Sequence, residues 1–218
     1  MHRRFGRRTR HDRHHEEVAS HPVKIEAAFA TLPLPGQSES GDLCLIKRVG
    51  KGTLIAVVDG LGHGEEAASA AHAAVGALDR YAREPLIDLV RRSHDALVGL
   101  RGVVLGLAYL DPQAATMTWL GVGNVGGVLL RADLGNRPSR ITLVANAGFI
   151  GAEPAHPTTR SVPLALGDTV ILFSDGIKDG FAESLVLSNS PQEIADCVIT
   201  RHVKGNDDAL VLVARYAR

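Results

Sequence analysis

Apolar residues in this chain fall into short runs cut by glycine, proline and polar turn residues, with stretches at helical spacing between them. Val23 to Ala30 is apolar and is ended by Leu32-Pro33-Leu34-Pro35-Gly36, which predicts a strand followed by a loop. Leu43 to Val49 and Thr53 to Val58, joined by Gly50-Lys51-Gly52, predict a hairpin. Its first strand starts at Asp42 and its second ends at Asp59, so that register sets the two aspartates side by side.

Glu65 to Ala82 carries Ala67, Ala70, Ala71, Ala74, Val75, Leu78 and Tyr81 at helical spacing, with Glu65 and Glu66 in the first turn, where the helix dipole favours acids. The small residues on that stripe let the helix lie close to a sheet. Pro85 predicts the start of a second helix running to about Leu100. Gly102 to Leu110, Ala115 to Leu120, Val125 to Arg131 and Arg140 to Val144 then read as β-strands, separated by Asp-Pro, Gly-Asn and Gly-Asn-Arg-Pro turn signals. Links this short predict antiparallel neighbours. Thr169 to Phe173 predicts another strand, Pro191 to Thr200 a short helix and Asp208 to Tyr216 a closing strand. The order predicts an α+β domain with helices packed on antiparallel sheets, because a doubly wound parallel sheet needs a helix between most strands.

The 218 residues suit one domain, and 45% hydrophobic with 22% charged residues is ordinary for a folded chain. Residues 1–21 differ: six arginines against three acids, five of the ten histidines and no apolar run predict a flexible basic tail ahead of a domain at 22–218. The tail lacks the apolar core of a secretory signal, so a cytoplasmic protein is expected. Without it the body holds 18 Lys and Arg against 21 Asp and Glu, the wrong sign for a nucleic-acid binder. Neither a nucleic-acid nor a membrane partner is expected, and a monomer is. Cys44 and Cys197 have no zinc-motif spacing and predict reduced, buried thiols.

The chemistry is carried by aspartates at strand ends. Two apolar runs end on the same dipeptide, Asp59-Gly60 and Asp175-Gly176; Ser40-Gly41-Asp42 opens one strand and Asp207-Asp208 another. A lone Asp-Gly is a common turn, but these four motifs in this order predict one site. Carboxylates gathered without a counter-ion repel one another, and a divalent cation removes the conflict. Oxygen-only ligands select Mg2+ or Mn2+ over zinc, and two such ions can share a water that becomes a hydroxide suited to in-line attack on phosphorus. No phosphate-loop lysine motif, G-x-S-x-G elbow or H-E-x-x-H helix offers a competing mechanism.

Ser40-Gly41-Asp42, Asp59-Gly60-Leu61-Gly62-His63-Gly64, Ser174-Asp175-Gly176 and Asp207-Asp208 together resemble the metal-dependent PP2C (PPM) serine/threonine phosphatases, in their compact SpoIIE-like bacterial branch, over residues 23–218. The resemblance implies two stacked antiparallel sheets flanked by helices, an αββα sandwich with a binuclear Mn2+ or Mg2+ centre at one edge. It implies that Asp59 bridges both ions, that the Gly60 carbonyl and Asp42 serve one, and that Asp175 and Asp207 serve the other. Asp208 is then a neighbour or a substitute for Asp207. The arginine that holds substrate phosphate in eukaryotic members has no counterpart, since none lies between Arg13 and Arg48. With no sensor domain apparent, the chain is most similar to RsbX-type phosphatases. That implies phosphoserine and phosphothreonine of stressosome (STAS-type) proteins as substrate, with a phosphorylated anti-sigma-factor antagonist, as for SpoIIE or RsbU, as the alternative. A non-catalytic phosphoprotein-binding module would have lost ligand acids, and none is missing.

Three further signals carry less. Gly121-Val-Gly123-Asn-Val-Gly126 matches a dinucleotide fingerprint but continues as a strand with no acid near residue 141, so a glycine-rich strand or hairpin is expected. His63 stands in the motif loop as a candidate proton donor or as a bystander. Asp179 would share a face with Asp175 only if a helix began there, and a turn is expected.

Overall fold

The computed structural model describes residues 23–133, 139–151 and 157–218. The basic segment 1–21 and the Gly135-Asn-Arg-Pro138 turn signal lie outside these residues. β1 (Lys24–Leu32) is followed by the Pro-Gly loop and then by the hairpin of β2 (Asp42–Val49) and β3 (Gly52–Gly60), closed at Gly50, whose φ of 59° suits glycine. The hairpin pairs residue for residue from Val49 opposite Gly52 to Asp42 opposite Asp59. Two helices come next, α1 (Glu65–Arg80) and α2 (Leu86–Ala96). The strands β4 (Val103–Asp111), β5 (Thr116–Val122), β6 (Gly126–Leu130), β7 (Arg140–Thr142), β8 (Arg160–Pro163) and β9 (Thr169–Phe173) follow, then a 3-10 turn at Phe181–Ser184, α3 (Pro191–His202) and β10 (Ala209–Ala217).

The strands form two antiparallel five-stranded sheets, ordered β2-β3-β4-β5-β8 and β1-β10-β9-β6-β7. Alternation along a strand assigns its two faces. In β3, Leu54, Ala56 and Val58 pack with the buried faces of α1 and α2, whereas Ile55 and Val57 face the other sheet. In β10, Leu210, Leu212 and Ala214 meet that inter-sheet layer, whereas Ala209, Val211 and Val213 lie under α3. The result is the expected sandwich of helices, sheet, sheet and helix. Because these strands are covered on both faces, they read as unbroken apolar runs. α3 is set by local chemistry: Ser190 caps it and exchanges hydrogen bonds with Glu193, and Pro191 opens its first turn.

The structure differs from the sequence expectations at four places. α2 stops at Ala96, because Leu97 and Leu100 close turns on His94 and Leu97, and Gly99 takes a φ of 81°. β8 went unpredicted; it is a four-residue, partly polar edge strand against β5, and so lacks the apolar pattern of a covered strand. β5 and β6 are joined by three residues yet do not pair: β6 lies in the opposite sheet. Val125, 4% exposed, is packed into the inter-sheet layer, so the chain crosses the gap instead of turning back. The cysteines are free but half-buried rather than buried; Cys44 borders the inter-sheet layer, and burial pushes its thiol up to about 12. Among the described residues no helix is long and apolar enough to cross a membrane.

The sandwich edge far from Asp59 is fastened by a buried ion pair. Arg131 and Asp168, whose side chains are 3% and 0% exposed, pair directly, and Asp168 also accepts from the backbone N–H of Ala132 and Ala165. Arg131 further donates to the Pro163 carbonyl at 2.7 Å. The ends of β6 and β8 and the start of β9 are thus joined through one carboxylate. Asp168→Ala should cost about 3–5 kcal/mol in urea unfolding, since it strands the guanidinium in the interior; a loss below about 1 kcal/mol would show that the pair does not hold this edge.

Candidate metal centre

Two strand registers bring the acids together. In the first sheet Asp42 lies opposite Asp59, and both share the parity of Cys44 and Val57, which face the gap between the sheets. In the second sheet Phe173 pairs with Val211, so the end of β9 and the start of β10 lie at one edge. Ser174 extends that pairing: its N–H donates to the Leu210 carbonyl at 3.0 Å, and its hydroxyl accepts from the Leu210 N–H at 2.9 Å. Asp175 follows one strand and Asp207-Asp208 precede the other. The same edge of the gap therefore collects Asp42, Asp59, Asp175, Asp207 and Asp208, whose charges act on one another.

Asp208 differs from its neighbour. It is 3% exposed, and its two carboxylate oxygens accept from the Leu34 N–H at 2.7 Å and the Gly41 N–H at 2.8 Å. It ties the loop ahead of β2 to the opposite sheet and so places Asp42. Asp207 is only half-buried, and one of its oxygens accepts from the Asp208 N–H at 2.9 Å.

Gly60 and Gly176 serve a purpose beyond turning. Gly60 and Gly176 do not have positive φ. A Cβ on Gly60 would collide with the Ala67 carbonyl of α1, and one on Gly176 would collide with the Asp208 carbonyl. Glycine is required there because the backbones touch. That close approach brings the start of α1 onto the end of β3, and the Asp175 loop onto Asp207-Asp208.

Burial sets the electrostatics. Asp42, 2% exposed, is pushed up to about 7 by loss of water and by the charges of Asp208, Asp175 and Asp207, with the Ser174 hydroxyl pulling it part of the way back. Its Oδ2 is buried and finds no hydrogen-bond partner among the described residues. Asp59 is pushed up to about 8 by burial first, then by Asp42 and the other three acids. Asp175 is raised by burial and by Asp207, and lowered by Lys204 and Asn124. An orphaned carboxylate oxygen amid other acids at a buried edge is a donor set that fits a hard divalent cation. Among the described residues no three acidic, His or Cys side chains already stand at metal-ligand spacing.

Asn124 was missed in the sequence. Its Nδ2 donates to Asp175 Oδ2, and it sits in the glycine-rich link that carries the chain between the sheets, with Gly123 at a φ of 96°. In the sequence the Gly-Asn of that motif reads as a turn signal, and only the crossing to the second sheet brings Asn124 to Asp175. Ser174 and Lys204 likewise act on the acids without having been singled out as site residues. His63 is exposed in the loop before α1 and has no hydrogen bond to the acids among the described residues. Asp179 is exposed in a turn, and no helix begins there.

The Stage II sporulation protein E (SpoIIE) family model matches residues 50–217, and the chain belongs to that family of PP2C-type serine/threonine phosphatases. No curated protein sequence matches it. Among solved structures it is similar to a chain from a structure described as "The bacterial stressosome: a modular system that has been adapted to control secondary messenger signaling". Identity there is 30%, the TM-score is 0.80, and 88% of this chain and 100% of that one are covered. It also shares its fold with RsbX in complex with magnesium, at 22% identity and a TM-score of 0.79, covering 88% and 96% of the two chains. The PP2C phosphatase domain of SpoIIE from Bacillus subtilis, with a fragment of its regulatory domain, gives 23% identity and a TM-score of 0.71, covering 88% and 63%.

Two outcomes follow from the geometry. Gly176→Ala forces a Cβ into backbone and should cost about 1–3 kcal/mol, seen as a fall of several degrees in melting temperature; an unchanged melting point would refute the close approach. For the metal-free protein, Asp42 and Asp59 titrate near 7 and 8 when folded but near the ordinary 3.8 when unfolded. The unfolded chain thus releases protons that the folded one retains, so stability falls as pH rises from about 4 to about 8. Asp59→Asn should melt higher than the metal-free wild type at pH 8 and alongside it at pH 4; a wild type that gains stability over this range would contradict the coupling.

Proposed function

We propose that this chain is a metal-dependent phosphatase that hydrolyses phosphoserine and phosphothreonine on bacterial stress-signalling proteins of the stressosome (STAS) type. The observation that carries the proposal is the pairing of Asp42 with Asp59 across the hairpin, facing Asp175 and Asp207 from the second sheet, with a buried carboxylate oxygen left unpartnered. Two Mn2+ or Mg2+ ions would be held there. Asp59 would serve both, Asp42 and the Gly60 carbonyl one, and Asp175 and Asp207 the other. Asp208, engaged through both oxygens by backbone N–H groups, is the organiser of the loop rather than a ligand. The bound ions supply Lewis-acid activation of water and neutralise phosphate charge. The chain's own residues hold that site in register: Asn124 orients Asp175, and Ser174 fastens the end of β9 to β10 beside Asp42.

The stressosome substrate is supported by the 30% identity to the stressosome chain and by full coverage of its length. A phosphorylated anti-sigma-factor antagonist is the second reading, supported by the SpoIIE family match. With either reading goes a cytoplasmic monomer that meets a phosphoprotein partner.

Turnover of p-nitrophenyl phosphate and of phosphoserine and phosphothreonine peptides should need Mn2+ or Mg2+, vanish with EDTA, and fall at least a hundredfold in Asp59→Asn, since a ligand to both ions is lost. Undiminished turnover in Asp59→Asn would overturn the assignment.

A further inference from the structure

A ring of five acids suits cations and repels a phosphate dianion, so a phosphatase built on it gains from a cation at the rim that no acid has already engaged. On one side of the ring stands Arg101. It donates to the Leu61 carbonyl at 3.3 Å and pairs with Glu66, so its guanidinium is already committed. On the other side stands Lys204. Its backbone N–H donates to the Gly176 carbonyl at 2.8 Å, Lys178 N–H donates to the His202 carbonyl at 2.7 Å, and Ile177 bridges to Val203. The segment carrying Lys204 is therefore laced to the Asp175-Gly176 loop through main-chain bonds that survive any change of side chain. Lys204 is exposed and forms no ion pair with a described carboxylate.

Resting on the phosphatase reading above, we propose that Lys204 is the phosphate-recognising cation of this site: its ammonium, carried by the segment laced to the Asp175-Gly176 loop, engages a non-reacting oxygen of the substrate phosphate and of the released inorganic phosphate. It serves where no arginine precedes the first acidic motif within the domain. A lysine on a flexible stem is a point charge rather than a two-pronged fork. It would take a phosphate in several orientations and leave the choice of phosphoprotein to other surfaces.

The test uses the full chain loaded with Mn2+, as wild type, Lys204→Gln and Lys204→Arg. Inorganic phosphate is titrated by calorimetry, Mn2+ affinity is measured separately, and steady-state kinetics follow on a phosphoserine peptide. Loss of one charge-assisted bond should weaken phosphate binding and raise KM at least about tenfold in Lys204→Gln, with recovery in Lys204→Arg. Mn2+ affinity should be unchanged or tighter in Lys204→Gln, because a positive neighbour of Asp175 is gone; a structural role would instead lower it. Phosphate affinity in Lys204→Gln within twofold of wild type, or no phosphate binding by the wild type, would overturn the inference. A wild type that binds phosphate but hydrolyses no substrate would sink the phosphatase reading alone, and the phosphate titration would still decide the role of Lys204.

Discussion

Mutual repulsion of carboxylates at a buried edge is the constraint around which this structure is arranged. Asp42 and Asp59 lose most of their water, and Asp42 has an oxygen with no partner among the described residues. No cation pairs directly with them among the described residues; Lys204 acts only on the outer member, Asp175. Such a cluster weakens the fold that contains it, and the rest of the sandwich must hold it in place. A bound divalent ion would turn the same repulsion into affinity, so the destabilising effect of the acids and their capacity to hold a metal would have one origin.

The scaffold supplies that restraint by joining the two sheets at their edges. Asp208 anchors the loop before β2 to the start of β10, and the glycines at 60 and 176 permit backbone contact that any side chain would prevent. At the far edge the Arg131–Asp168 pair closes the second sheet against β8. Between these ends the inter-sheet layer is packed with apolar side chains such as Ile55, Val57, Leu172 and Leu212, which cannot neutralise the acids.

Most of this was legible in the sequence because it is written in local patterns. The hairpin turn and its apolar flanks determine the β2–β3 register, and that register alone places Asp42 opposite Asp59. The alanine stripe of α1 shows how closely that helix can lie on β3. Illegible were the features that depend on which sheet a strand joins. β6 crosses to the second sheet although its link to β5 is as short as a hairpin's, and so the position of Asn124 against Asp175 could not be read. Asp207 and Asp208 are alike in sequence, and only the loop folded back on Asp208 separates their tasks. The glycines were read as turn formers because crowding by a distant backbone leaves no mark in the residues beside them.

Proton release on metal binding tests the account most directly. Near pH 7 the carboxyls of Asp42 and Asp59 still retain protons, which an ion must displace. Calorimetric titration of Mn2+ in buffers of different ionisation enthalpy should show release of roughly one to two protons at pH 7, falling toward zero above pH 9. Binding with no proton release at pH 7, or no Mn2+ binding at all, would contradict the claim that these buried acids are held together for a metal ion.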